Sequence, residues 1–367
     1  MNRIKKNMED LGQFLDRTAG VINDEGIIIA CTNTEMLDVE DTNISTIFSS
    51  DEPIIKTDNK SYKLLEINGY GPLVVYVEGI DKTSVTYLEL ISCCLTASLK
   101  EANDLQLKET FLKNVLLENE LPGDISLKSR EFDISYSTPR LVLVLKNQAS
   151  DSLRLTASLN RIFADSKNEY ILPLDENTLV ILLDASESSD LATYEEAAKK
   201  ILTRLLTDDL ISARIGIGLI VDTLKDTAKS YREASLALTV GNIFEPSSYL
   251  MRYDRLGLGR LIYQLPPTLC QMFLQEVFKP GAYEALDRET LTTIYKFFEN
   301  NLNGSETSRQ LFVHRNTLVY RLDKVQKITG LDLRNFDDAV LFKLASMVRR
   351  YLERRDNLKL NEPDHWW

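Results

Sequence analysis

The sequence predicts a multidomain α+β protein with three parts. A small mixed domain comes first, an α/β module lies in the middle, and an all-α domain ends the chain. Three observations carry this. Short strand patterns with turn signals feed a long amphipathic stretch before residue 122. Strand and helix patterns alternate between residues 140 and 240. After residue 286 only helical periodicity remains, in short pieces. The length of 367 residues is enough for two or three domains. A hydrophobic fraction of 44% and a charged fraction of 27% are ordinary for a globular protein.

Residues 1–102 form the first domain. A short helix is expected over 8–18. Strands are expected at 19–23 and 27–32 around Asp24, Glu25 and Gly26, and again at 61–67 and 73–79 around the Asn68–Pro72 turn segment. Leu88, Ile91, Leu95, Leu99, Ala102 and Leu105 then recur at spacings of three and four, the mark of a long helix. A small sheet feeding a long helix is the build of PAS- or GAF-like sensor domains, a likeness of architecture rather than of motif. The helix continues as a linker over 103–123 and stops at Leu121, Pro122 and Gly123. Its apolar stripe serves either as core or as a dimer seam.

Residues 124–265 form the second domain. Strands are expected at 140–145, 170–173, 178–183 and 213–217, with helices at 153–163, 191–206 and 223–240. Leu174, Asp175, Glu176 and Asn177 form a hairpin turn between the middle two strands. This order, and the segment from Ala213 to Leu238, resemble the GGDEF domains of diguanylate cyclases. Cyclase chemistry needs glycines in that hairpin for close approach of the nucleotide. It also needs carboxylates there and on the first strand to hold divalent metal. The hairpin has no glycine, and the first strand ends in Lys146, Asn147 and Gln148. The domain is therefore read as a degenerate, non-catalytic GGDEF-like module. The rival reading keeps it as an inactive scaffold that still binds a nucleotide.

A connecting helix (268–278) is expected within 266–285, then an all-α domain over 286–355 and a flexible polar tail over 356–367. Within 289–300, Leu291, Ile294, Tyr295, Phe297 and Phe298 form an apolar face. Ser305 is the expected N-cap of a short helix ending near Phe312, with Glu306 at its positive end. A turn at Val313 and His314 leads into a second helix, from Arg315 to Thr329, stopped by Gly330. Two short helices around a tight turn form a helix-turn-helix. Leu311, Val313, Leu318, Leu322 and Val325 are its expected core, with Thr307 at the close crossing. In a last helix over 337–352, capped by Asn335 or Asp337, the expected inner face is Val340, Leu341, Leu344, Ala345 and Val348.

The outer face suits DNA. The N-terminal end of the second helix enters the major groove in this motif, and here it carries His314, Arg315, Asn316 and Thr317. Arg pairs with guanine, Asn with adenine, and a Thr methyl with thymine. Tyr320, Arg321 and Lys324 follow one turn on, where phosphates run, and Ser305 joins this DNA-facing set. Two roles are open for His314: contact with DNA, or a ring packed on Phe312 to hold the turn. The net charge of −12 conceals an asymmetry. Residues 286–355 hold 13 basic against 9 acidic side chains, while the remainder holds 30 against 46. A basic end on an acidic body is expected when one module meets phosphate.

The inventory excludes other chemistry. Two histidines, His314 and His365, are too few for a His-rich metal site or a Ser-His-Asp triad. The four cysteines, Cys31, Cys93, Cys94 and Cys270, contain no Cys-x-x-Cys pair and read as reduced, mostly buried thiols. The N-terminal basic residues precede no apolar run, so no signal peptide is expected, and no stretch is long enough to span a membrane. A cytoplasmic protein is expected, with no cofactor and no catalytic residue.

The run from Leu311 to Leu322, with its His-Arg-Asn-Thr-Leu-x-Tyr-Arg-Leu core, and the later Thr329, Gly330, Leu331, Asp332 and Leu333 resemble the C-terminal helix-turn-helix of PucR/CdaR-type bacterial regulators. The degenerate GGDEF-like domain ahead of it is a second feature of that family. Ser308 departs from it mildly, since a small apolar residue is common there. The resemblance spans roughly residues 140–352. It implies a transcriptional regulator that binds double-stranded DNA, works as a homodimer or larger oligomer, and responds to a small effector such as a sugar acid, purine or amino acid.

Overall fold

The computed structural model describes residues 2–147, 152–164, 166 and 168–359. Two compact units emerge. One comprises residues 1–114 with 126–134, and the other 115–125 with 135 onward.

The first unit opens with α1 (Asn2–Gly12). The helix expected at 8–18 therefore begins and ends six residues earlier. Ile4 and Met8, four apart, are both buried and anchor it, with Leu11 packed beside them. Strands β1 (Ala19–Ile22), β2 (Ile28–Cys31), β3 (Ile55–Thr57), β4 (Lys60–Leu65) and β5 (Leu73–Glu78) form one antiparallel sheet in the order β2-β1-β5-β4-β3. At the β1–β2 turn Gly26 has φ +86°, a conformation that glycine adopts freely. The short helix α2 (Ile44–Phe48) and β3 had no clear periodic signal. The long helix α3 runs Lys82–Leu116, and the Asp81 carboxylate accepts the Ser84 amide N–H at 2.9 Å near its start. Leu88, Ile91, Leu95 and Leu99 are fully buried against the sheet, so this part of the stripe is core. Leu105 is exposed. A short α4 (Ile125–Glu131) completes the unit.

The second unit begins with an α/β layer. Its elements are β6 (Arg140–Asn147), α5 (Ser152–Ile162), β7 (Tyr170–Pro173), β8 (Thr178–Asp184), α6 (Leu191–Asp209), β9 (Ala213–Ile217), α7 (Thr227–Phe244) and β10 (Leu250–Arg252). The sheet order is β10-β9-β6-β8-β7, antiparallel except for the β10–β9 pair. The central strand β6 carries a continuous, buried apolar run over residues 141–145, as the sequence suggested. The β7–β8 hairpin lies where expected, with Pro173 opposite Leu179. There the Asp175 carboxylate accepts the Asn177 N–H at 2.8 Å, an ordinary turn role. Gln148, the last of the three residues read at the end of the first strand, lies outside the described residues.

Helix α7 lies very close to β9. A Cβ at Gly216 would collide with the Ala234 carbonyl oxygen, and one at Gly218 with that of Ser230. The buried Ser230 hydroxyl accepts the Val142 N–H at 3.1 Å and donates to the Leu219 carbonyl at 2.7 Å, stitching helix to strands.

Helices α8 (Leu258–Gln264), α9 (Pro267–Val277), α10 (Arg288–Glu299), α11 (Gly304–Gln310), α12 (Arg315–Thr329) and α13 (Phe336–Lys359) finish the chain. The expected flexible tail begins inside α13: residues 356–359 are helical, and 360–367 lie outside the described residues. Asn335 caps α13, accepting the Asp337 N–H at 3.0 Å. Its buried face is Ala339, Phe342, Ala345, Val348 and Tyr351, rotated from the expected one, and Val340 is exposed. The shift follows from packing on two sides, described below. Of the cysteines, Cys31 and Cys270 are buried but Cys93 and Cys94 are exposed, so the expectation of mostly buried thiols holds for half of them. Among the described residues no helix is long and apolar enough to cross a membrane.

Because the α7–β9 contact leaves no room for a methyl group, Gly216→Ala should destabilise the chain by about 1–3 kcal/mol or more. A urea unfolding curve with an unchanged midpoint would contradict the close approach described here.

Candidate nucleic-acid interface

Helices α10, α11 and α12 surround one core with α13. Ile294, Phe297, Leu318, Leu322, Val325, Leu333, Phe342 and Ala345 are buried together, with Leu302 and Leu331 packed at the margin. Leu318, Leu322 and Val325 are thus the inner face of α12, as the spacing indicated, while Leu311 and Val313 are half-buried. Thr307 is fully buried at the crossing, and its hydroxyl donates to the Asn303 carbonyl at 2.7 Å. Ser308 occupies a site suited to a small apolar residue. Its hydroxyl bonds back to the Gly304 and Ser305 carbonyls at 2.9 and 3.0 Å, so burial leaves no polar group unmet.

Both turns use left-handed residues. At the end of α10, Asn301 and Leu302 have φ of +51° and +63°. The Leu302 N–H donates to the Phe297 carbonyl and the Asn301 N–H to that of Phe298, a Schellman pair. At the end of α11 the same pair recurs: Val313 N–H to Ser308 carbonyl at 3.0 Å, Phe312 N–H to Arg309 carbonyl at 3.3 Å. Here the left-handed residue is Phe312, with φ +56°. Glycine or asparagine usually fills this position, and a bulky side chain there costs roughly 1–2 kcal/mol.

The caps correct one expectation and give His314 a role beyond the two expected for it. Asn303, not Ser305, caps α11. Its side-chain oxygen accepts the Ser305 and Glu306 N–H groups, both at 3.1 Å. Ser305 already lies inside the helix, because the left-handed pair before it turns the chain two residues sooner than a serine cap would. His314 caps α12: its Nδ1 accepts the Asn316 N–H at 3.2 Å. The turn is therefore held by a histidine hydrogen bond rather than by its ring on Phe312. Gly330, with φ +85°, closes α12 as expected.

His314, Arg315, Asn316 and Thr317 are all exposed at the N-terminal end of α12. Tyr320 is 69% exposed one turn further on. Arg321 and Lys324 face α10 instead. Arg321 is only 19% exposed and donates to Glu289 Oε2 at 2.7 Å and Thr293 Oγ1 at 3.0 Å. Lys324 pairs with Asp287, the N-cap of α10, and this bond holds the Asp287 carboxyl well below the usual carboxylate range. Arg309 pairs with Glu306 at 2.6 Å, and Arg334 with Asp323 and Asp332 at 2.9 and 2.7 Å. Of the six basic residues between 309 and 334, Arg315 and Lys327 are in no ion pair among the described residues. Lys327 was missed at the sequence level. Counting three and four along α12 from Asn316 gives Tyr320, Asp323 and Lys327 as the face opposite Leu318, Leu322 and Val325, and Lys327 is exposed there.

Comparisons with known proteins match two domains of the chain. Residues 290–348 match the PucR C-terminal helix-turn-helix domain, and residues 118–240 match the GGDEF-like domain. The chain is similar to the carbohydrate diacid regulator of Escherichia coli (strain K12), 26% identical over 74% of this chain and 75% of that one. It is also similar to the purine catabolism regulatory protein of Bacillus subtilis (strain 168), 24% identical over 81% of this chain but 61% of that one. The proline-responsive transcriptional activator PutR of Bacillus subtilis (strain 168) is 28% identical over 46% of this chain and 43% of its own length.

The two candidate caps are separable by mutation. Asn303→Ala should lower stability by about 1 kcal/mol, while Ser305→Ala should change it by less than about 0.5 kcal/mol. Thermal unfolding of both variants checks this, and the reverse order would reinstate Ser305 as the cap.

Proposed function

We propose that this chain, which belongs to the PucR/CdaR-type bacterial transcriptional regulators, reads a specific duplex DNA site with the N-terminal end of α12 and does so under control of a small effector. The observation that carries the reading is the exposed set His314, Arg315, Asn316 and Thr317 at the start of a helix whose opposite face is fixed in a core. That end of a recognition helix points into the major groove. Arg315 suits a guanine edge bidentately and Asn316 an adenine. Tyr320 and Lys327 are assigned to phosphates. Arg321 and Lys324 serve mainly to tie α12 to α10, and Ser305 flanks the site from α11.

The first unit is assigned the sensor role. A five-stranded antiparallel sheet backed by a long helix supports a PAS- or GAF-like reading. The relatives' names refer to a carbohydrate diacid, to purine catabolism and to proline. The effector is accordingly sought among sugar acids, purines and amino acids. The middle domain is read as non-catalytic, since its hairpin carries a turn aspartate in place of glycines, and incubation with GTP and magnesium is expected to give no turnover. A homodimer in the cytoplasm would read half-sites about 10 bp apart or a multiple of that.

Footprinting on the upstream DNA of its own gene, with and without candidate effectors, tests the function directly; no protected site at modest salt would sink it. Arg315→Ala should weaken specific binding by about 1–3 kcal/mol and relax preference at one base position. Lys327→Ala should weaken all sequences alike and reduce the salt slope by about 1. Asp287→Asn keeps a good helix cap but frees Lys324, so binding to random-sequence DNA should tighten and grow more salt-dependent. Unchanged affinity in that variant would place Lys324 away from phosphate. Thermal shift of the full chain with the three effector classes should single out one class by a raised unfolding temperature.

A further inference from the structure

Phe312 is the least expected residue on this surface. It is 96% exposed, more than any other large hydrophobic side chain among the described residues. Its backbone is left-handed, φ +56°, at the Schellman position between α11 and α12 where glycine is the unstrained choice. A phenylalanine there contributes nothing to the core and works against the turn. Folding therefore does not explain it, and strained residues that folding does not explain cluster at functional sites.

Its neighbours say what it faces. Two residues on, His314 caps α12, and Arg315, Asn316 and Thr317 follow, all exposed. The rigid turn, fixed by the two Schellman bonds and the His314 cap, gives Phe312 a set direction beside the recognition end. Its apolar ring lies on the same short segment as Arg315, a cation without an ion pair among the described residues.

We infer that Phe312 is a further DNA-contacting, specificity-determining residue, whose ring packs on the C5-methyl group of a thymine beside the bases read by Arg315 and Asn316. The inference rests on the DNA-binding reading given above. A thymine methyl is the apolar feature that the major groove presents, and phenylalanine is among the side chains that read it. The contact adds base preference without neutralising a phosphate, so it leaves the salt dependence alone.

The test uses the full chain and the duplex found by footprinting. Phe312→Gly and Phe312→Asn both suit a left-handed turn and should unfold at the same or a higher temperature than the wild type. Both should bind the duplex roughly tenfold more weakly, with an unchanged salt slope. A duplex with uracil for the contacted thymine should weaken wild-type binding by a similar factor and leave the variants unaffected. Variants that bind as tightly as the wild type overturn the assignment. So do variants that bind normally but lose dimerisation or activation of transcription in vitro, which would give Phe312 a protein partner instead. A wild type that binds no duplex overturns the DNA reading itself, an outcome distinct from a wild type that binds and variants that bind equally.

Discussion

The position of α12 depends on one aromatic packing site. Phe342 on α13 is almost wholly buried, with the rings of Phe278, Tyr283 and Phe298 centred 5.4, 6.1 and 6.3 Å from it. Phe278 follows α9, Tyr283 lies in the loop before α10, and Phe298 is on α10. A single side chain thus fixes three parts of the chain to α13, and α12 packs through Leu318, Leu322 and Val325 on the same core. Removing a ring from such a site costs about 3–5 kcal/mol. The helix-turn-helix hydrogen bonds set the angle between α11 and α12, but this cluster holds the pair in place.

The charge pattern of the interface has a different logic from the one its composition suggests. A local excess of basic residues is real, yet most of the cations near α12 are engaged by carboxylates within the domain. Surface pairs of this kind add little stability, typically up to about 1 kcal/mol. Their effect is to lower the potential that the domain offers to any phosphate backbone. Sequence-independent DNA affinity grows with each phosphate neutralised. With Arg315 and Lys327 in no ion pair among the described residues and the other four engaged, the face offers a phosphate backbone less general attraction than its composition suggests.

Much of this was legible in the sequence, and the reasons for the rest are physical. Strands β6 and β8 were visible as unbroken apolar runs, the hairpin at residues 174–177 by its turn residues, and helices α6, α7 and α12 because burial imposes a period of 3.6 on their side chains. The start of α12 was visible because its motif is specific. The Asn303 cap was not, because capping depends on backbone angles set by the left-handed pair at Asn301 and Leu302. The pairing of Arg321 and Lys324 with Glu289 and Asp287 was hidden by more than 30 residues of separation, since only the tertiary fold brings α10 beside α12. Phe312 was read as a possible packing partner for His314 that would hold the turn. The structure instead leaves its ring almost wholly exposed at the left-handed turn. β10 is three residues long and exists by virtue of its neighbour β9.

Helix α13 also constrains how any signal reaches the DNA. Its first half belongs to the helix-turn-helix core through Ala339, Phe342 and Ala345. Its second half joins a separate cluster, where Val348 and Tyr351 pack on Ile243 of α7, Ile262 of α8 and Cys270 of α9, and Tyr351 meets Tyr263 edge-on at 5.8 Å. Arg350 adds a hydrogen bond to the Phe244 carbonyl at the end of α7, 3.0 Å long. Each buried aliphatic side chain in that cluster stabilises by about 1.5–3 kcal/mol. Swinging the helix-turn-helix away from the α/β layer would break all of these contacts at once, more than an effector coupling of about 1–3 kcal/mol supplies. Any regulation that respects this energy scale would move the α/β layer and the helix-turn-helix together.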